Sequence, residues 1–204
     1  MTGYHIYGRP FAGSLIAEFL LTMAEAPYTI SFPDDAERQT PEFLAKNPTG
    51  RIPVLVSPDG HSLIESLAIV HHLTERFDGM APAPGTAERD RYLSLITLLA
   101  TTVYPAYHRQ HHTRYYGFED DFDGIRAKAR EMNEGLFDYL EDQLSPNLLG
   151  DDVCAADFYL YMLTRWEPHK DQMRTGRPKL TAFCEAMRAH PIVDAVLARQ
   201  PRRK

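Results

Sequence analysis

The chain has 204 residues, 44% of them hydrophobic and 25% charged, with a formal net charge of −6. That length suits one large or two small domains with a real core, and that composition excludes the disordered class. The acidic balance argues against a nucleic-acid partner, and no apolar run approaches the roughly 20 residues that cross a bilayer, so no membrane partner is expected.

The one basic run, Arg202-Arg203-Lys204, reads as a frayed end. The start, MTGYHIYGRP, lacks the charged and apolar regions of a signal peptide. Cys154 and Cys184 form no metal-ligand spacing, and so few cysteines fit a reducing cytoplasm, the expected location.

In chain order, residues 4–7 alternate like a short strand. From Ser14 onward, Ile16, Phe19, Leu20 and Met23 recur at helical spacing, predicting a helix to about Ala26. Pro27 stops it, and residues 28–32 are β-prone. Thr40-Pro41-Glu42 reads as an N-cap with proline at the first helical position. Asn47-Pro48-Thr49-Gly50 is a turn, and Val54-Leu55-Val56 with His61-Ser62-Leu63 reads as a hairpin over Pro58-Asp59-Gly60. Ile69, Val70, Leu73 and Phe77 mark another helix. The order is β-α-β-α-β-β-α, and the first β-α-β is a right-handed parallel crossover.

Residues 79–85 form a Gly/Pro linker, and everything after them reads as helix. Thr86 caps a long helix that Pro105 kinks or restarts near Tyr104. Ile125, Met132, Leu136, Leu140 and Leu144 line one face of the next helix. Residues 158–166 are apolar nearly all round, which predicts a central buried helix. Pro178 and Pro191 signal further helix starts. The predicted architecture is therefore an α/β domain over residues 1–78, a linker over 79–85 and an all-α domain over 86–204.

Several positions admit two local readings. Ser14 in RPFAGSLIAEFLLT either caps the helix or stabilises an anion at its N-terminus. Ile52-Pro53 is a candidate cis bond or a plain edge-strand proline. Ser62-x-x-Glu65 fits a capping box, whereas Glu65-Ser66 at a helix start also suits a ligand carrying a carboxylate and an ammonium. His108 and His112 stand one helical turn apart, but no acidic partner accompanies them, and no metal is expected.

Three segments in order, NPTGRIPVLV (47–56), SLIESLAIVHHL (62–73) and LLGDDVCAADFYLYMLTRW (148–166), resemble the cytosolic glutathione S-transferase family. The resemblance covers essentially the whole chain. It implies a thioredoxin-like first domain, glutathione as co-substrate, a homodimer, and conjugation of the thiolate to a hydrophobic electrophile. Carried onto this sequence, Ile52 pairs through its backbone with the cysteinyl unit of glutathione, and Pro53 is the cis proline. Ser66 binds the γ-glutamyl carboxylate, Glu65 holds the ammonium, and Arg51 opposes the ligand's net negative charge. Asp157 is structural, with Cys154 where the family has a Ser or Thr cap.

Residues 9–15 are similar to the Lys-Pro-x-Ala-Cys-Ser-Leu run of bacterial beta-class members, but Gly13 falls where those have cysteine. The missing thiol disfavours disulfide chemistry and leaves Ser14 as the expected thiolate-stabilising hydroxyl, with Tyr7 as runner-up. A free thiol has a pKa of roughly 8.5, so the site must favour the thiolate by about 1.4 kcal/mol per unit of lowering. The electrophile pocket is expected among Phe11, Tyr104, Tyr107, His108 and Trp166. By resemblance, Tyr104 sits where beta-class members place a pocket histidine, and Trp166 matches a family tryptophan. Several of these aromatic residues are expected to pack the bundle, and one or two to line the pocket. A ligand-binding or scaffold protein of the same family, without turnover, is the alternative.

Overall fold

The computed structural model describes residues 3–201, and Arg202-Arg203-Lys204 lies outside the described residues. Two compact units emerge. One comprises the described residues up to Met80 together with those from Arg188 onward, and the other runs from Ala81 to Met187.

The first unit is built on a four-stranded sheet of β1 (Tyr4–Tyr7), β2 (Tyr28–Ser31), β3 (Val54–Val56) and β4 (Ser62–Ile64), in the order β2-β1-β3-β4. β1 and β2 are parallel, and the other pairings are antiparallel. β1 keeps the expected alternation, with Tyr4 and Ile6 buried and His5 and Tyr7 half-buried. α1 (Leu15–Met23) is buried at every residue from Leu15 to Leu21 and lies against both α3 (Ser66–Arg76) and α10 (Pro191–Ala198). It ends short of Ala26 because the chain turns left-handed at Glu25 (φ +52°), where the Ala26 N–H reaches back to Leu21 O at 3.0 Å. α2 (Pro41–Leu44) has the predicted Thr40 cap, whose hydroxyl accepts from Phe43 N.

α10 was expected in a helical domain over 86–204. Its residues group with the first unit instead. The reason is the surface of α1, which is buried all round, Glu18 included, and is covered by α10 as well as α3.

The second unit contains α4 (Ala87–Leu98), α5 (Tyr104–His111), α6 (Phe122–Gln143), α7 (Ala155–Thr164), α8 (Lys170–Arg174) and most of α9 (Pro178–Ala189). Thr86 caps α4 as predicted, accepting from Arg89 N at 3.1 Å. Between α4 and α5 the chain makes a wide π-type turn over Leu99–Val103, immediately before the Pro105 that has no N–H to continue the ladder. α7 is buried at every residue and is the central helix.

The buried stripe of α6 is Ala129, Asn133, Phe137 and Leu140, and Met132 is exposed. That stripe is rotated from the predicted one, with α6 packed chiefly against α5, and the end of α6 is also tied to the start of α9. The Glu141 carboxylate accepts from Lys179 N and Leu180 N at 2.9 and 2.7 Å. The Arg177 guanidinium donates to Asp138 and Glu134 at 2.8 and 2.9 Å. At the start of α7, buried Asp157 accepts from Leu148 N and Cys154 N, both at 2.9 Å. Burial, with that carboxylate beside it, pushes the Cys154 thiol far up, so Cys154 is inert.

Candidate functional site

Strand register brings the scattered motifs of the first unit to one end of the sheet. Tyr7, the last residue of β1, pairs with Val54, the first of β3, and Val54 pairs with Ile64, the last of β4. The loop 8–14 that leaves β1, the Ile52-Pro53 segment that enters β3, and Glu65-Ser66 that leaves β4 therefore share one edge.

The Ile52–Pro53 peptide is cis. Ile52 lies just outside β3, and among the described residues neither its N–H nor its C=O has a hydrogen-bond partner. Asn47, a residue the motif reading did not single out, holds this segment from behind. Its amide donates to Arg51 O at 2.8 Å, while its carbonyl accepts from Thr49 N and Thr49 Oγ1 at 3.0 and 2.8 Å. The Asn-Pro-Thr-Gly turn signal marked the position without disclosing this role. Gly50, at φ +63°, closes the turn in a conformation that favours glycine.

The capping-box reading of Ser62 and Glu65 is excluded. Ser62 is a β4 residue, and Glu65 is itself the N-cap of α3 with no side-chain cap bond. Glu65 is exposed, at φ +68° and ψ +122°, a region rarely occupied by a residue with a side chain. Such strain costs on the order of 1–3 kcal/mol and concentrates where it positions function. Ser66, the first residue of α3, is buried beside it.

The loop 8–14 differs from expectation. Ser14 holds the N-cap position of α1, but its side chain makes no cap bond and is not an open donor: it is fully buried, and its hydroxyl donates to Arg9 O at 3.2 Å and accepts from Arg9 N at 3.3 Å. A hydroxyl has one proton, and here Arg9 O receives it. Gly8 allows the inward turn, since a Cβ there would lie 2.4 Å from Ser14 Oγ. The N–H groups of Gly13 and Ser14 have no acceptor among the described residues and stand at the N-terminus of α1. Phe11 is half-buried at φ +57°, and its N–H donates to Gln200 Oε1 at 3.2 Å. Tyr7 is half-buried on the face away from Tyr4 and Ile6, with its ring edge-on to Phe43 at 5.6 Å.

In the helical unit, Tyr104 and Trp166 are half-buried and meet at 4.9 Å. Tyr107, expected in a substrate pocket, is fully buried beneath Trp166, so it packs the bundle rather than meeting a ligand. Burial, with the Glu167 carboxylate nearby, drives its phenol well above the ordinary range. His108 turns to another cluster, with Nδ1 at 2.7 Å from the Tyr116 hydroxyl and its ring beside His112 and Tyr115. No group of three or more metal-ligating side chains assembles among the described residues. No helix of the described residues is long and apolar enough to cross a membrane.

Residues 1–75 match the family described as glutathione S-transferase, N-terminal domain. The chain is 28% identical to the GST-like protein YncG of Escherichia coli K12, over 95% of this chain and 97% of that one. It is 26% identical to glutathione S-transferase GST-4.5 of Xanthomonas campestris, over 94% and 96%. Among solved structures, a glutathione transferase homologue from Sulfitobacter with bound glutathione superposes with a TM-score of 0.86 at 27% identity, covering 98% of this chain and 99% of that one. Residues 1–75 thus carry the glutathione S-transferase N-terminal domain, and with its thioredoxin-like sheet and following helical unit the chain is similar over its length to glutathione S-transferases.

Proposed function

We propose that the protein is a glutathione transferase that joins the glutathione sulfur to a hydrophobic electrophile. The observation that carries this reading is the convergence of the free Ile52 backbone, the strained Glu65 and the α1 N-terminus at one sheet edge. Ile52 pairs with the cysteinyl unit as an added strand would. Ser66 and the N-terminus of α3 take the γ-glutamyl carboxylate, Glu65 takes the ammonium, and Arg51 offsets the remaining negative charge. That places the sulfur over the loop that leaves β1.

There the thiolate is held by the N–H groups of Gly13 and Ser14 and by the positive end of α1. The Ser14 hydroxyl acts indirectly, by locking Arg9, and the Tyr7 hydroxyl is the other candidate for a direct hydrogen bond to the sulfur. The thiol proton leaves to solvent. The thiolate then forms a C–S bond with the electrophilic carbon, and either the leaving group departs with its electron pair or the adduct takes up a proton. The aromatic walls of Tyr104 and Trp166 suit a flat apolar electrophile. No cysteine lies in the loop, and both Cys154 and Cys184 are buried, so a mixed disulfide with the protein has no partner there.

The inward turn of Ser14 favours a second reading, in which the protein binds glutathione without turning it over. Isothermal titration with glutathione, followed by conjugation assays on a panel of aryl halides and activated alkenes, separates the two. Binding with turnover supports the transferase, binding without turnover the carrier, and no binding refutes both.

A further inference from the structure

Gln200, in the turn after α10, reaches the loop that leaves β1. Its Oε1 accepts the Phe11 N–H at 3.2 Å, and its Nε2 donates to both oxygens of Glu18, at 3.2 and 2.9 Å. Gln200 and Glu18 are both buried. Only one orientation of the carboxamide satisfies both neighbours, because the N–H needs an acceptor and the carboxylate needs a donor. Glu18 therefore sets which way Gln200 faces, and Gln200 holds a backbone N–H whose residue sits at φ +57°, where a phenylalanine is strained. Phe11 lies two residues before Gly13, and the same loop is tied at its other end by Ser14 and Arg9.

We propose that Gln200, oriented by Glu18, is a positioning residue of the glutathione site: it clamps the Phe11 backbone and so fixes the direction of the Gly13 and Ser14 N–H groups. This rests on the reading of that loop as the seat of the thiolate. The contact spans 189 residues of sequence and makes the C-terminal helix a support of the site.

The test measures the KM for glutathione, the KM for the electrophile, and the thiol pKa of bound glutathione from the ultraviolet absorbance of the thiolate. Gln200→Met, which keeps the shape and loses both hydrogen bonds, is expected to raise the glutathione KM about tenfold and the bound thiol pKa by about one unit. The electrophile KM stays within about twofold. Glu18→Met moves the same quantities in the same direction, and Glu18→Gln, which keeps an acceptor for Nε2, falls between it and the wild type. The double variant Glu18→Met with Gln200→Met is no worse than Gln200→Met alone, because the two residues act as one unit.

A merely structural role would lower the melting temperature and leave the thiol pKa and the glutathione KM in place. That result, or unchanged glutathione parameters in Gln200→Met, overturns the inference. Should Gln200→Met not fold, Glu18→Met carries the same expectation and the same refutation. A wild type that does not bind glutathione refutes the site reading as well, whereas wild-type binding with unaffected variants refutes this inference alone.

Discussion

Two helices of the first unit begin with a serine at the same sheet edge, and the two starts are built in opposite ways. Before α1, Ser14 has ordinary helical angles (φ −66°, ψ −19°), and its hydroxyl is used up on Arg9 inside the protein. Before α3, Glu65 is strained at φ +68°, and its carboxylate stands in solvent. The first start spends its side chain on the fold and leaves the Gly13 and Ser14 N–H groups without an acceptor among the described residues. The second spends backbone strain to present a side chain. Helix starts that look alike in sequence thus present different groups, backbone donors at one and a carboxylate acceptor at the other, depending on the turn that feeds them.

The largest test of this contrast concerns the acid inside α1. Burial raises the Glu18 carboxyl from its ordinary 4.5 to about 7, opposed by the Gln200 hydrogen bond and the Arg199 charge. The folded pKa exceeds the unfolded one, so the folded state holds an extra proton between those values. Stability is therefore lost as pH rises through that window, and the full penalty is present above about 7. Relative to Glu18→Gln, the wild type is expected to lose on the order of 3 kcal/mol between pH 4 and pH 8. Denaturant unfolding at the two pH values measures it, and a constant difference between the proteins would disprove the buried charge. α3 has no buried acid, and no matching pH effect is expected there.

Next in size is Glu65→Gly, which relieves the positive φ and removes the carboxylate. Glutathione affinity is expected to fall about tenfold while stability rises by about 1 kcal/mol. Calorimetric titration beside a thermal melt reads both, and a fall in both would mean that Glu65 supports the fold instead. The smallest effect is expected from Ser14→Ala. Removing the tie to Arg9 costs about 1 kcal/mol of stability, with a rise in glutathione KM of about threefold or less. A loss of turnover of a hundredfold or more, in a protein with unchanged stability, would restore Ser14 as the direct thiolate donor.

Much of the fold was legible because its signals are local. Alternation in YHIY marked β1, Thr40-Pro41 and Thr86 marked helix starts, and the apolar run 158–166 marked the buried α7. The candidate site was readable as a set of segments, Ile52-Pro53, Glu65-Ser66 and the loop before α1, since each has turn chemistry of its own, and the strand register brings them to one end of the sheet. Tyr107 was misread as a pocket residue because an aromatic on a helix looks the same facing a ligand or a core. Met132 was misplaced because packing against α5, not the local period, sets which face of α6 is buried.

The sequence by itself determined where the strands and most helices lie, that a thioredoxin-like unit precedes a helical one, and that no cysteine stands in the loop before α1. These follow from periodicity, caps and residue identity, which act over a few positions. Only the tertiary structure decided that the Ser14 hydroxyl faces inward, that α10 belongs with the first unit, and that Gln200 links Phe11 to Glu18. Those contacts join residues up to 189 positions apart. A hydrogen bond goes to whichever partner folding brings within reach, and no local pattern encodes which one that is.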